Sequence, residues 1–321
     1  MKNTARISLT SALLLLCFLI ITPVMAEQNQ SVGRSNATAI GAGDMHSLAL
    51  LDNGTILAWG QDTYNQRTVP GGLKDVKAIA VSGDHNLALL NNGTVVAWGD
   101  NMFRESEVPS DLMNVRAIAA GEWHSLALLN DGTVVGWGDD GAGQSDVPEG
   151  LKNVTAIAAG VDHSLALLND GTVVGWGDTT ASQGNMPRGL KNVTAITAGY
   201  YHSLALLDNG TVVVWGYNWW NQCDMPSDLK DVKAIAAGGN DNLALLNNGT
   251  VIAWGDRTHG QNSVPSDLNN VTAIAVGGGH SLALRNNGTV VAWGSNSNGQ
   301  CNVPPALKDA ADISLTYVDG K

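Results

Sequence analysis

The sequence predicts an all-β fold, a seven-bladed β-propeller of 39-residue repeats, and three observations predict it. A Trp-Gly pair recurs at Trp59, Trp98, Trp137, Trp176, Trp215, Trp254 and Trp293, each 39 residues after the last. The same period carries Gly54, Gly93, Gly132, Gly171, Gly210, Gly249 and Gly288, and Pro70, Pro109, Pro148, Pro187, Pro226, Pro265 and Pro304. Every unit holds three short apolar, β-branched runs, and no window sustains a helical apolar period, so helices should be few. A fixed period of this length means a solenoid or a propeller.

Within a unit the elements follow in order. The run VTAIAAG (154–160) is a first strand, HSLALL (163–168) a second and TVVGWG (172–177) a third. Asn-Gly or Asp-Gly separates the second from the third, the pair that accepts the positive φ angles of a type I′ hairpin turn, so these two strands should be antiparallel neighbours. After the seventh unit comes AADISL (310–315), whose Ile313 lies one period beyond Ile274 and makes an eighth copy of the first strand. An extra terminal strand is what closes a ring and removes open sheet edges. A solenoid would instead need polar caps, and the ends show none.

The pattern GxxHSLALxxxGxVxxWGxxxxGQ resembles the repeat of the regulator of chromosome condensation (RCC1) family over nearly the whole chain. That resemblance implies a seven-bladed propeller. Units this short and free of insertions look closer to the secreted bacterial branch that includes β-lactamase inhibitor protein II than to the nuclear exchange factor. Three positions depart from the pattern: Ser82 replaces the repeat Gly, Asp241 the repeat His and Glu105 the repeat Gln. Local loosening of a blade or two is expected.

Lys2 and Arg6 precede an apolar run from Ala12 to Ile21, followed by Pro23 and Val24-Met25-Ala26. This reads as a secretory signal peptide cut after Ala26, since a membrane anchor needs about 20 apolar residues. The expected organisation is a signal at 1–26, a linker at 27–36, the propeller at 37–316 and a tail at 317–321. The mature protein is then expected to be secreted or held at the cell surface, without membrane insertion, and monomeric. Losing Lys2 and Arg6 takes the net charge from −12 to −14, which disfavours nucleic acid and anionic lipid. Cys223 and Cys301 stand two repeats apart and are read as free thiols.

Six histidines, His46, His85, His124, His163, His202 and His280, recur at the repeat position, which spreads them round a ring instead of gathering them into a metal or catalytic site. Each is expected to hydrogen-bond within its own blade. The Trp-Gly tryptophans are expected to pack between blades. Asn-x-Ser/Thr triplets such as Asn153-Val-Thr155 and Asn192-Val-Thr194 are candidate glycan acceptors. No cofactor and no metal is expected.

The residues outside the repeat carry the functional reading. Chain direction places the GxxH loop and the segment after Trp-Gly on one face. Tyr64, Phe103, Trp123, Tyr200, Tyr201, Tyr217, Trp219 and Trp220 all fall in those two loops, in a chain only 5% aromatic. Tyr and Trp dominate interface hot spots. A non-enzymatic protein that binds a protein partner through this face is therefore expected, its centre in blade five. The partner class implied by the resemblance is an extracellular enzyme. A carbohydrate-binding or adhesion module is the alternative. A polysaccharide-cleaving enzyme would need a carboxylate pair at set separation, for which Glu105 and Glu122 lie in neighbouring loops without a motif that enforces it; His259 and Asp256 are too isolated to help. Guanine-nucleotide exchange is disfavoured by the signal peptide and by the unbroken spacing.

Overall fold

In the computed structural model, residues 35–178 and 186–308 are described, and they form seven three-stranded antiparallel sheets, each built from consecutive strands. Blade one comprises β1 (Ala37–Ala42), β2 (His46–Leu51) and β3 (Ile56–Gly60). Blades two to seven repeat it over 76–99, 115–138, 154–177, 193–216, 232–255 and 271–294. Among the described residues, the only helical element is the 3-10 turn Pro305–Leu307. The expected signal at 1–26, most of the linker and the terminal strand copy at 310–315 lie outside the described residues.

The middle strand of each blade is buried on both faces because a neighbouring blade covers each. In β2 all six residues are buried, which is why HSLALL is a nearly continuous apolar run instead of an alternating one. Its register is His46↔Gly60 and Leu50↔Ile56 on one side and Ala42↔Ser47 on the other. Core clusters fall between blades: Leu165, Leu167 and Val173 of blade four pack on Val193, Ile196, Ala205 and Trp215 of blade five. Each buried leucine contributes about 1.5–3 kcal/mol. An equivalent cluster joins the first and last sheets, where Leu282, Leu284 and Val290 meet Ala42, Ala49 and Trp59.

Hydrogen bonds stitch the seams, and here the histidine expectation needs correction. Each His Nε2 reaches out of its own blade to the next, as in His163 to Ser203 Oγ at 2.9 Å and His280 to Ser47 Oγ at 2.8 Å. The His ring at the end of the middle strand points into the seam, where the side chain following the next blade's histidine is the nearest polar group. Burial drives these rings toward neutrality; His163 is lowered to about 3. The tryptophans behave as expected, with indole N–H groups donating across seams, as from Trp98 to the Gln66 carbonyl at 3.1 Å and from Trp59 to the Gln300 carbonyl at 2.8 Å.

Two further expectations change. The turn between second and third strands is a three-residue loop, not a type I′ pair: within the turn of blade one only Gly54 has positive φ, +77°, and Gly54 N–H donates to Leu51 C=O while Leu51 N–H donates to Thr55 C=O. That is a type I turn closed by a left-handed glycine, with Asn53 Oδ1 accepting from Thr55 N–H. The blades with altered repeats are not looser. In blade two the inner strand (β4, Val76–Ser82) runs one residue further than β1 and pairs Ser82 with His85 around Gly83, φ +46°. Blade six does likewise around Gly239. Glu105 is fully buried and fills the glutamine's role, accepting from Phe103 N–H at 2.8 Å.

Candidate binding face

Strand direction brings both variable loops of every blade to one end. The residue after each Trp-Gly donates its N–H to the loop between inner and middle strands: Gln61 to Met45 C=O, Asp139 to Trp123 C=O and Tyr217 to Tyr201 C=O, at 2.8–2.9 Å. All seven blades make this bond. The face is therefore a stitched surface on a rigid frame.

All eight aromatic residues singled out by sequence lie on this face, and the structure divides them. Tyr201 stands 6.3 Å from both Tyr200 and Tyr217, edge-on to each. Phe103 and Trp123 form a second pair at 5.7 Å. Trp219 is 76% exposed, and Trp220, Tyr64, Phe103 and Tyr217 are exposed as well. Tyr64, Phe103 and Trp220 share one device. Each backbone N–H is held by a buried side chain two residues later, from Gln66, Glu105 and Gln222 respectively, at 2.8 Å. The repeat glutamine is thus a clasp that presents whatever side chain precedes it by two, a role sequence reading missed although the fixed offset was the signal. His259 is held by Gln261 in the same way.

The second feature missed by sequence reading is the mouth of the central channel. The inner strands line the channel with Ile40, Ile79, Ile118, Ile157, Ile196 and Ile274. At its loop end Tyr200 of blade five crosses to blade one, its hydroxyl donating to Asp44 Oδ1 at 2.5 Å. The Glu122 carboxyl of blade three lies beside the same Asp44. Burial and the neighbouring Asp44, Asp84 and Asp162 hold the Glu122 carboxyl well above the ordinary range. Asp84 is pushed up to about 6 by burial and Asp44, while Gln66 Nε2 donates to it. Glu105 and Glu122 do not share a cleft: one is sealed behind the Phe103 loop, the other stands at the mouth. Cys223 and Cys301 are free, with thiols raised to about 11 by burial.

A family model described as the regulator of chromosome condensation (RCC1) repeat matches residues 37–66, 76–103, 115–144, 154–183, 193–221, 232–261 and 271–300. A comparison with curated protein sequences returned no match. Among solved structures, the fold is similar to the ectodomain of the Physcomitrella patens receptor kinase CR4, with TM-score 0.69 and 21% identity over 81% of this chain and 74% of that one. It is also similar to Prp20p from Saccharomyces cerevisiae, described with its binding to Gsp1p and histones, with TM-score 0.65 and 20% identity over 88% and 87% of the two chains. The ectodomain of the Arabidopsis thaliana receptor kinase ACR4 aligns with TM-score 0.66 and 19% identity over 85% of this chain and all of that one.

Proposed function

The chain belongs to the RCC1 repeat family, and from that premise we propose that it is a secreted, non-enzymatic binding protein that holds a protein partner on its loop-rich aromatic face. The observation that carries this reading is the clasped display of Tyr64, Phe103 and Trp220 beside the Tyr200, Tyr201 and Tyr217 cluster. Large exposed rings on a backbone already fixed bind with little loss of entropy. The family generally supplies binding scaffolds, and what Prp20p is described as binding, Gsp1p and histones, is protein. Secretion rests on the leader-like segment at 1–26, and an extracellular enzyme is the partner class we favour from the resemblance to the secreted branch.

The test is capture from the native extracellular fraction, comparing the mature protein with a Tyr201→Ala, Trp219→Ala, Trp220→Ala variant whose melting is unchanged. Each truncation at a hot spot costs about 2 kcal/mol or more, so the variant should lose the partner entirely. Retention of the same partners by both proteins would overturn the reading. Binding confined to a glycan array would replace it with the carbohydrate alternative.

A further inference from the structure

The aromatic face says that something docks there; the charges around it say what kind of surface that is. The seven loops between inner and middle strands meet around the channel mouth, and five of the junctions between them are bonded backbone to backbone. Asp44 N–H donates to Gly83 C=O, Glu122 N–H to Gly160 C=O, Val161 N–H to Tyr200 C=O, Tyr200 N–H to Gly239 C=O and Gly278 N–H to Gly43 C=O, at 2.9–3.2 Å. This rim is fixed, and its chemistry is lopsided. Blades one to four contribute one acid each, Asp44, Asp84, Glu122 and Asp162, all half-buried. Blades three and five contribute Trp123, Tyr200 and Tyr201. Blades six and seven contribute mainly glycine at 238–239 and 277–279, which leaves that side low. A Cβ on Gly278 would press on the Tyr200 hydroxyl and Asp44, so the glycine is what lets Tyr200 span the mouth. No lysine or arginine occurs in any of the seven loops.

Resting on the binding-face reading, we propose that the partner is a protein with a basic, protruding loop, and that a lysine or arginine side chain of that loop enters the mouth among Asp44, Asp84, Glu122 and Asp162, against the ring of Tyr201. Four carboxyls without a cationic partner among the described residues repel one another, and a cation supplied from outside relieves all of them at once. Aromatic faces beside carboxyls favour the same visitor, because a cation is attracted both to the charge and to the ring. An acidic or purely apolar loop would leave the carboxyls desolvated and unpaired, which selects against it. The groups facing Glu122 are Asp44, Asp84, Asp162 and the Tyr200 and Tyr201 hydroxyls, so it holds a proton against burial and like charge. An arriving ammonium expels that proton to the buffer, and affinity therefore rises from neutral to mildly alkaline pH.

The experiment titrates the mature protein, followed by tryptophan fluorescence, with a capped peptide of phenylalanine flanked by lysines and with its glutamate counterpart. The lysine peptide is expected to bind and the glutamate peptide not to. Glu122→Gln with Asp162→Asn should weaken the lysine peptide about tenfold or more and abolish the rise with pH. Asp131→Asn with Asp170→Asn removes two ionised carboxylates at the opposite end of the blades, at least as much charge as the mouth variant loses, and should change affinity by less than about twofold, because exposed distant charges are screened. Equal binding of both peptides, no binding of either, or equal losses in the two double variants would overturn the inference. If the lysine peptide fails while the aromatic triple variant still loses the native partner, the basic-loop inference falls and the binding face stands; if the triple variant keeps the partner, the binding face falls as well.

Discussion

Six seams between blades carry a histidine and one carries Asp241, and the two kinds of seam hold equally well in packing terms. In the histidine seams the imidazole bridges to the next blade's Ser or Asn, as His202 does to Asn242 Oδ1 at 2.8 Å. In the seam between blades six and seven, Asp241 is 2% exposed and has Gln261 and Asp256 as polar neighbours instead of a bridge across the seam, and Ser281 is left with a 3.4 Å contact to the Gln261 carbonyl. Yet Leu243, Leu245 and Val251 pack on Val271, Ala283 and Trp293 there as their counterparts do elsewhere. Apolar interdigitation makes the ring; the polar bridge tunes it.

The largest effect expected from this comparison is therefore the same in both kinds of seam. Leu204→Ala and Leu243→Ala, both at nearly fully buried positions, should each cost about 3–5 kcal/mol in chemical denaturation. A clearly smaller loss at Leu243 would mean that the Asp241 seam is already open. Next in size is His163→Ala, which removes the bridge to Ser203 and should cost about 1–3 kcal/mol.

The seams also differ in sign with pH. His163, ordinarily 6.5 and lowered to about 3, stays neutral in the folded state while the unfolded chain takes up a proton, so stability falls as pH drops below 6.5 toward 3. Asp241, ordinarily 3.8, is raised to about 8 by burial, with the Asp256 charge adding to the rise and Gln261 opposing it, so it keeps a proton that the unfolded chain releases. Its contribution falls as pH rises from 3.8 toward 8. Asp241→Asn should remove that alkaline decline, and Asp241→His should replace it with acid sensitivity while adding about 1 kcal/mol through a bridge to Ser281. Melting curves across this range would separate the two. The smallest effect is Glu105→Gln, which restores the amide donor and should gain about 0.5–1 kcal/mol near neutrality.

How far the letters could be read follows from which interactions repeat. The strands, the number of blades, the tryptophans in the seams and the placement of both variable loops on one face all follow from a period that cannot slip. The histidine partner was harder, because His163 bonds to Ser203, forty residues on, and only the joint change to Asn86 after His85 and Asn242 after Asp241 hinted at a shared polar slot. The turn was misread because Asn53-Gly54 fits a two-residue hairpin locally, while the strand register demands three residues. The mouth was invisible. Asp44 and Glu122 take the first variable place of their loops, Asp84 and Asp162 the place next to the histidine, and Tyr200 meets Asp44 across 156 residues. Convergence on an axis leaves no mark in a linear pattern.

The clasp made by Gln66, Glu105, Gln144, Gln222, Gln261 and Gln300 has a consequence for how such a molecule changes over generations. Each buried side chain grips the backbone two residues earlier, at Tyr64, Phe103, Ala142, Trp220, His259 and Asn298, and asks nothing of the side chain displayed there. Those positions already range from methyl to indole. Substitutions can rewrite them one at a time without disturbing the frame, as a typesetter changes characters in a locked page.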